Sequence, residues 1–251
     1  MKIVVFGGAG LIGRKLIRLL TGEGHEAVAA SRSTGVDAVT GEGLAGVLAG
    51  AQVVVDVMNA PVWGDDEVLR FFRTSSHNLV EAERAAGVAH HIALTIVGAD
   101  RNPDSGYQRA KVAQEEVIVA SGVPYTIVRA TQFYEFLETI ADAATVEGTV
   151  HAPVGQFQPV AADDVAAALA EVAVGEPANA IIDVAGPESL PMGDYLRRFL
   201  DATYDARKVV DDPAATYFGG LLSEKSLVPT GEARIGAMTF PEWLSRPEGA
   251  R

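Results

Sequence analysis

Tyr107 and Lys111 are the residues whose types and spacing most directly suggest acid–base chemistry in this chain. They stand four positions apart in a segment with a helical pattern, so both side chains are expected on one helix face. A phenol can donate its proton to a carbonyl oxygen during reduction, and a neighbouring ammonium group stabilises the phenolate that remains. The pair therefore predicts a proton donor with a tuning lysine, and the lysine could also hold the ribose of a cofactor.

A third catalytic candidate is Thr95, which ends a predicted strand before Tyr107. Its hydroxyl could donate a hydrogen bond to the same oxyanion, although threonine is also a common strand residue. Tyr204 and Lys208 repeat the spacing, but they lie in a region with weak periodicity. We interpret this second pair as a coincidence.

A glycine-rich loop follows the first predicted strand, where dinucleotide phosphates bind in open α/β sheets. The segment Phe6-Gly7-Gly8-Ala9-Gly10-Leu11-Ile12-Gly13 fits both G-x-G-x-x-G and G-x-x-G-x-x-G. Glycines let the backbone approach a pyrophosphate, and the N–H groups and dipole of a helix N-terminus favour its negative charge. We therefore predict a dinucleotide site with contacts from Gly7, Gly10, Leu11, Ile12 and Gly13.

The residues just after the second predicted strand bear on which nicotinamide cofactor is bound. An acidic residue there would bind the ribose 2′-hydroxyl, whereas an arginine would accommodate a 2′-phosphate. The segment Ala29–Ser33 places Arg32 between two serines and contains no carboxylate. Ser31 and Arg32 are therefore predicted to bind the phosphate, with NADP(H) preferred over NAD(H). The alternative is a solvated arginine at a strand end.

Two aromatic residues follow predicted strands on the cofactor side, where loops commonly carry binding residues. Trp63 and Phe133 could stack on a flat substrate, and core packing explains them equally well. We predict that both contact the substrate.

Short β-branched runs alternate with amphipathic stretches, a pattern typical of a parallel sheet with crossover helices. We predict strands at 2–6, 26–30, 52–57, 91–95, 124–129 and 180–184, and helices at 11–22, 43–49, 65–86, 107–121 and 162–174. This regularity indicates an α/β, doubly wound fold. The predicted dinucleotide-binding core spans 1–130 with 158–185 returning to it, and 131–157 and 186–251 form a smaller substrate lobe.

The composition and net charge of the chain argue against several kinds of site and partner. The chain has 251 residues, 48% of them apolar, and can bury a full core. Its net charge of -13 would repel a nucleic-acid backbone, so no nucleic-acid partner is expected. It has no cysteine, which excludes disulfides and thiolate zinc sites and fits a reducing cytoplasm. The apolar run at 3–6 is too short for a signal peptide or a membrane span, so no membrane partner is expected.

The histidines do not suggest a metal site. His90 and His91 are adjacent on a predicted strand, where neighbouring side chains point to opposite faces and cannot chelate one ion together. Asp65-Asp66 and Asp163-Asp164 are interpreted as helix-start residues that complement the helix dipole. No metal ligand is therefore predicted.

These motifs together resemble the short-chain dehydrogenase/reductase superfamily, in particular its atypical, NmrA-like NAD(P)-binding branch. The resemblance covers roughly residues 1–185. Besides the glycine loop, Thr95 and the Y-x-x-x-K pair, it rests on Asn78-Leu79-Val80-Glu81-Ala82, Pro124-Tyr125-Thr126-Ile127-Val128-Arg129 and Asp164-Val165-Ala166. Thr95 replaces the usual serine and Phe6 a frequent threonine, while Met58-Asn59-Ala60-Pro61 partly matches an asparagine-rich loop and makes Asn59 a cofactor contact.

The resemblance implies a Rossmann-type domain with a small C-terminal substrate lobe, and a homodimer formed through the long helices. It implies an NADPH-dependent reductase of a small apolar carbonyl or quinone compound. An alternative is an NADP(H)-binding redox sensor without turnover. A sugar-nucleotide epimerase is a weaker alternative, because the lobe formed by 186–251 is short for such enzymes.

Overall fold

The computed structural model describes residues 1–246, so the last five residues of the predicted lobe lie outside the described residues. Twelve strands and eight α-helices, numbered in chain order, make up this part. The strands are β1 (Lys2–Phe6), β2 (Glu26–Ala30), β3 (Val53–Asp56), β4 (His90–Ile96), β5 (Tyr125–Ala130), β6 (Thr145–Val146), β7 (Thr149–Pro153), β8 (Gln156–Phe157), β9 (Ala180–Ala185), β10 (Leu190–Pro191), β11 (Lys208–Asp212) and β12 (Ala233–Ile235). The helices are α1 (Leu11–Gly22), α2 (Leu44–Leu48), α3 (Asp65–Ala86), α4 (Gly106–Ala120), α5 (Leu137–Ala143), α6 (Ala162–Val174), α7 (Met192–Ala202) and α8 (Phe240–Leu244).

Seven strands form a central parallel sheet in the order β12-β9-β5-β4-β3-β1-β2. Strand β1 pairs in parallel with β2 on one side and with β3 on the other. The chain thus reverses its direction of winding at β1, and the carboxyl ends of β1 and β3 lie side by side. Ligands of open α/β sheets bind at such a switch point. The fold is doubly wound and of the Rossmann type, as predicted.

Helices α3 and α4 carry Phe72, Tyr107 and Lys111 of the candidate site. Helix α3 begins with Asp65, Asp66 and Glu67 in its first turn, which complement the dipole, and ends at Gly87 with φ 72°. It packs against α4 and buries Val68 and Phe72. The aromatic ring of Phe72 is therefore held against the face of α4 that contains Ala110.

The chain divides into two compact units. The first comprises Met1–Thr95, Gly106–Arg129 and Val165–Ile182, and the second comprises Ile96–Ser105, Ala130–Asp164 and Asp183–Arg251. Residues 96–105 and 158–164, which the sequence assigns to the dinucleotide-binding core, thus belong to the second unit.

The second unit contains a core that the sequence analysis did not resolve. Its two small sheets have the orders β10-β8 and β11-β7-β6. Helix α7 buries side chains at helical spacing, and the core is rich in aromatic rings, among them Tyr134, Tyr195, Phe240 and Trp243. The region after Gly186, expected to be weakly patterned, thus includes a regular amphipathic helix. None of the helices within residues 1–246 is both long and apolar enough to span a membrane.

Candidate functional site

The loop between β1 and α1 contains two glycines that the packing requires. Gly7 has φ 79°, and a Cβ atom there would lie 2.7 Å from the carbonyl oxygen of Val57. A Cβ atom on Gly13 would collide with the carbonyl oxygen of Gly7. Both residues therefore let β1, α1 and the segment after β3 approach closely.

Gly10 differs from these two glycines. Its φ of -77° suits any residue, it is exposed, and the nearest neighbour of an added Cβ would be the Gly7 carbonyl oxygen at 3.2 Å. No side chain caps α1, whose first helical hydrogen bond runs from the Arg14 N–H to the Gly10 carbonyl at 3.1 Å. The backbone N–H groups of Leu11 and Ile12 lie in the first turn of α1, before Arg14. An exposed glycine before an uncapped helix N-terminus fits the close approach of a pyrophosphate.

A cavity of about 610 Å³ extends along the carboxyl ends of β1, β2 and β3. Its walls include Gly7, Ser31, Arg32 and Asn59, all of which the sequence analysis assigned to the cofactor. The Arg32 side chain is exposed and has no hydrogen-bond partner within residues 1–246. The Ser31 and Ser33 hydroxyls form a hydrogen bond of 2.8 Å with each other. The structure therefore brings Gly7 of the glycine loop and the predicted phosphate-binding residues to one cavity, whereas the other predicted loop contacts do not line it: Gly10, Leu11, Ile12 and Gly13.

Three further charged residues, Asp37, Glu67 and Arg70, line this cavity and were not predicted from the sequence. Asp37 lies beyond the segment 29–33, which itself contains no carboxylate, so the structure adds an acidic residue from further along the chain to the cavity wall. Its Oδ1 accepts the Val39 N–H at 2.8 Å, and part of its hydrogen-bonding capacity is therefore used in a turn. Arg70 comes from α3 and faces the same cavity, a placement that depends on how α3 packs.

The predicted pair Tyr107 and Lys111 lies on α4, and both side chains contact the Phe72 ring. The rings of Tyr107 and Phe72 meet edge to face with centroids 6.0 Å apart, and the Lys111 Nζ lies 4.3 Å from the Phe72 centroid. Lys111 is buried and donates a hydrogen bond of 2.9 Å to the Leu94 carbonyl. The Tyr107 hydroxyl donates to Asn59 Oδ1 at 2.7 Å.

Burial sets the protonation states of this pair. It raises the pKa of Tyr107 to about 12 and lowers the pKa of Lys111 to about 8, the latter against the opposing effect of the Asp56 and Glu115 carboxylates. The sequence analysis expected the ammonium to stabilise the phenolate, but desolvation dominates for this phenol. At neutral pH Tyr107 is therefore a protonated donor and Lys111 is mostly charged.

The Thr95 hydroxyl already donates a hydrogen bond within the protein. Its hydroxyl donates to Glu115 Oε1 at 2.6 Å, and Glu115 in turn accepts two hydrogen bonds of 2.9 and 2.6 Å from the Arg129 guanidinium. All three residues are buried. A hydroxyl has a single proton to donate, so this geometry gives no support to Thr95 as an oxyanion donor.

Asp56, at the end of β3, is a residue that the sequence analysis missed. It is buried, and its Oδ1 accepts the Met58 N–H at 2.9 Å while its Oδ2 accepts Gln114 Nε2 at 2.8 Å. Burial raises the pKa of this carboxyl despite the nearby Lys111 ammonium. Asp56 thus ties the loop that carries Asn59 to the helix that carries Tyr107.

The two aromatic candidates lie in different units. Trp63 is 74% exposed, and its ring centroid lies 6.3 Å from that of Tyr107. Phe133 is half-buried in the second unit, where its ring lies 5.5 Å from that of Phe136. Trp63 therefore offers an open aromatic surface beside the phenol.

The other motifs singled out in the sequence have structural partners. His90 hydrogen-bonds Thr126 at 2.9 Å, whereas His91 bonds Glu83 at 2.8 Å, so the two histidines have separate partners. Tyr204 is 95% exposed after the end of α7, and Lys208 begins β11. These two residues do not share a helix face, in agreement with their interpretation as a coincidence.

Comparisons with known proteins identify a cofactor-binding family. A family model described as NAD(P)H-binding matches residues 7–175. A curated relative, the photosystem II assembly factor Ycf39 of Cyanophora paradoxa, is 24% identical over 151 residues, which are 55% of this chain and 47% of the relative. The chain therefore spans about half the length of this curated relative.

Solved structures share the fold at low sequence identity. MoeE5 in complex with UDP-glucuronic acid and NAD aligns with a TM-score of 0.77 and 17% identity, over 98% of this chain and 97% of that one. The Citrobacter sp. triphenylmethane reductase complexed with NADP(H) aligns with a TM-score of 0.62 and 19% identity, over 86% and 80% of the two chains. At these identities the likeness establishes the fold alone.

Proposed function

Since the chain belongs to the NAD(P)H-binding family, we propose that it is an NADPH-dependent reductase of a small apolar carbonyl or quinone compound. The observation that carries this proposal is the protonated Tyr107 phenol, hydrogen-bonded at 2.7 Å to a residue in the wall of the cavity that would hold the cofactor. Lys111 stands one helical turn further along the same helix.

The cofactor would be held by the chain's own backbone and by arginine. The amides of Leu11 and Ile12, after the exposed Gly10, would bind the pyrophosphate. Arg32, exposed in the same cavity, would pair with a 2′-phosphate, which supports the preference for NADPH. Arg70 adds a second positive charge to the cavity wall.

When bound in this cavity, a reduced nicotinamide would supply the hydride that the carbonyl carbon of the substrate takes up. Tyr107 then gives its Oη proton to the carbonyl oxygen as the C=O π electrons move onto that oxygen, and the phenolate regains a proton from solvent. The Lys111 ammonium is buried one helical turn along α4 from Tyr107, and we propose that its charge stabilises the transient phenolate. Trp63 would stack on a flat substrate beside the phenol.

The test compares Tyr107→Phe with Tyr204→Phe, a matched change at an exposed tyrosine outside the cavity. NADPH oxidation is followed against a panel of ketones, aldehydes and quinones, and cofactor binding is titrated separately. We expect Tyr107→Phe to lower turnover of ketones by roughly 10²- to 10⁴-fold, the usual contribution of a positioned acid, with cofactor affinity nearly unchanged. Tyr204→Phe is expected to match the unmutated protein. NADPH binding without oxidation by any panel compound would contradict the reductase and favour a sensor.

A sugar-nucleotide enzyme is the second candidate, because MoeE5 matches nearly the whole chain. That match removes the length argument made against this class from the sequence. A reaction that only rearranges a sugar nucleotide consumes no net NADPH. The discriminating measurement is therefore calorimetric titration with UDP-glucuronic acid together with product analysis. Binding and conversion of the sugar nucleotide, without reduction of the panel, would replace the reductase proposal.

A further inference from the structure

We infer that the Asn59 side-chain amide donates a hydrogen bond to the same substrate oxygen that Tyr107 protonates. This inference rests on the proposed reductase function and adds a second catalytic residue to it. It starts from the Asn59 side chain, whose oxygen accepts two hydrogen bonds and whose nitrogen, a donor, has no acceptor within residues 1–246.

The orientation of the Asn59 amide follows from its partners. Its Oδ1 accepts the Ala60 backbone N–H at 2.9 Å and the Tyr107 O–H at 2.7 Å. A backbone N–H can only donate, so the atom that faces Ala60 must be the oxygen. Nδ2, with two protons, then points away from Ala60. Within residues 1–246 no hydrogen-bond acceptor contacts it, and Asn59 is exposed in the cavity wall.

The Asn59 side-chain amide can therefore donate a hydrogen bond to the carbonyl oxygen of a substrate. Oδ1 and Nδ2 belong to one planar group, so a donor lies immediately beside the phenol oxygen. When a carbonyl oxygen arrives, rotation about the Cζ–Oη bond of Tyr107 turns the phenol proton from Oδ1 to that oxygen. Nδ2 can then donate to the same oxygen, and it forms or breaks no covalent bond.

The rest of the site explains why a second donor is needed from this loop. Thr95, at the position from which a hydroxyl donor was expected, donates its hydrogen bond to Glu115 instead. Glu115 also accepts two hydrogen bonds from the Arg129 guanidinium. Asp56 fixes the adjacent Met58 N–H, so the loop that presents Asn59 is anchored to the sheet.

Two variants separate the donor from the acceptor. Asn59→Asp keeps an oxygen for Tyr107 and Ala60 but lacks both N–H donors, whereas Asn59→Ala lacks both functions without adding charge. Asn179→Asp is the matched control, because Asn179 Oδ1 also accepts a backbone N–H, that of Tyr125 at 3.2 Å, and Asn179 lies outside the cavity. Thermal melting checks that each variant is folded.

The first measurement does not depend on turnover. Protein loaded with NADP⁺ is titrated with 4-nitrophenolate, which mimics the oxyanion, and with nitrobenzene, which has a similar shape but no oxyanion. We expect the Kd for the phenolate to rise at least tenfold in both Asn59 variants, with the Kd for nitrobenzene and for NADPH changed less than threefold. In the reductase assay we expect kcat/KM for ketones to fall by about 10²- to 10³-fold, as for loss of one oxyanion donor.

Each outcome bears on the inference. A phenolate Kd that is the same in the unmutated protein and both Asn59 variants overturns it, as does a protein that binds nitrobenzene and phenolate equally. A raised Kd for NADPH alone makes Asn59 a cofactor contact and also overturns it. Asn59-dependent phenolate binding without reduction of any panel compound supports the donor and rejects the proposed function.

Discussion

Lys111 is buried, and its ammonium is mostly charged at neutral pH. We expect turnover to depend on this charge. Its ammonium has a backbone carbonyl and an aromatic ring as its immediate neighbours. Burial outweighs the attraction of the Asp56 and Glu115 carboxylates, which places its pKa at about 8 instead of the ordinary 10.5. Lys111 therefore titrates close to neutral pH, unlike an exposed lysine.

We predict that kcat falls as pH rises through about 8. The proposed stabilisation of the phenolate needs the protonated ammonium. The ammonium is fully protonated below this pKa and loses its proton above it, so kcat decreases toward alkaline pH. The Tyr107 pKa of about 12 is too high to produce this decrease. The measurement is kcat against pH for the unmutated protein and for Lys111→Arg, whose guanidinium stays charged and should abolish the decrease. A flat profile across this range in the unmutated protein would contradict the prediction.

The β1–α1 loop contains glycines that the fold requires and one glycine that a ligand can approach. Gly13 packs against the Gly7 carbonyl, whereas Gly10 is exposed and has an ordinary φ. The same motif therefore contains a structural requirement and a binding requirement. Sequence spacing alone cannot separate them, because both glycines match the fingerprint.

We predict that Gly10→Val and Gly13→Val affect different properties of the protein. In the first, a folded protein should lose affinity for NADPH by at least a hundredfold, because the side chain occupies the path of the pyrophosphate. In the second, the melting temperature itself should fall, because the side chain collides with the Gly7 backbone. Gly22→Val is the control, since a Cβ at Gly22 has no neighbour within 4 Å. Melting curves and NADPH fluorescence titrations measure both properties, and unchanged affinity in folded Gly10→Val would place the phosphates elsewhere.

The molecule as a whole is acidic, yet the cofactor that we propose for it is also an anion. The net charge of -13 opposes a phosphorylated ligand, so binding must rely on local groups. The cavity supplies Arg32 and Arg70 for this purpose, and it also contains Asp37 and Glu67. The balance among these four charges decides between the 2′-phosphate and the 2′-hydroxyl.

We predict that NADPH stabilises the protein more than NADH does, and that Arg32→Ala removes most of the difference. A ligand at a hundred times its Kd stabilises by about 2.7 kcal/mol. Loss of one charge-assisted contact, about 1.5–3 kcal/mol, corresponds to a tenfold to hundredfold rise in the Kd for NADPH. Thermal shifts are recorded at equal concentrations of both cofactors, with Arg18→Ala as the control, since Arg18 is exposed and outside the cavity. Equal shifts by NADPH and NADH in the unmutated protein would contradict the assignment.

The amino-acid sequence determined the features that depend on neighbours along the chain. The strand and helix alternation from β1 to β5, the glycine loop and the shared helix of Tyr107 and Lys111 follow from periodicity and short spacing. Helix α7 was determined in the same way, since Met192, Tyr195, Leu196, Phe199 and Leu200 are helically spaced, but the surrounding prolines obscured the pattern.

Only the tertiary structure decided which hydrogen bonds the site residues form. Asn59 and Tyr107 are 48 positions apart, and Thr95 and Glu115 are 20 apart. Such contacts depend on the packing of α3 and α4 on the sheet, which no local pattern specifies. The same packing buries Lys111 and so lowers its pKa, and it brings Arg70 to the cavity. Residue types and short spacings therefore indicated the chemistry, whereas the proton positions and charges on which it depends follow from contacts between distant segments.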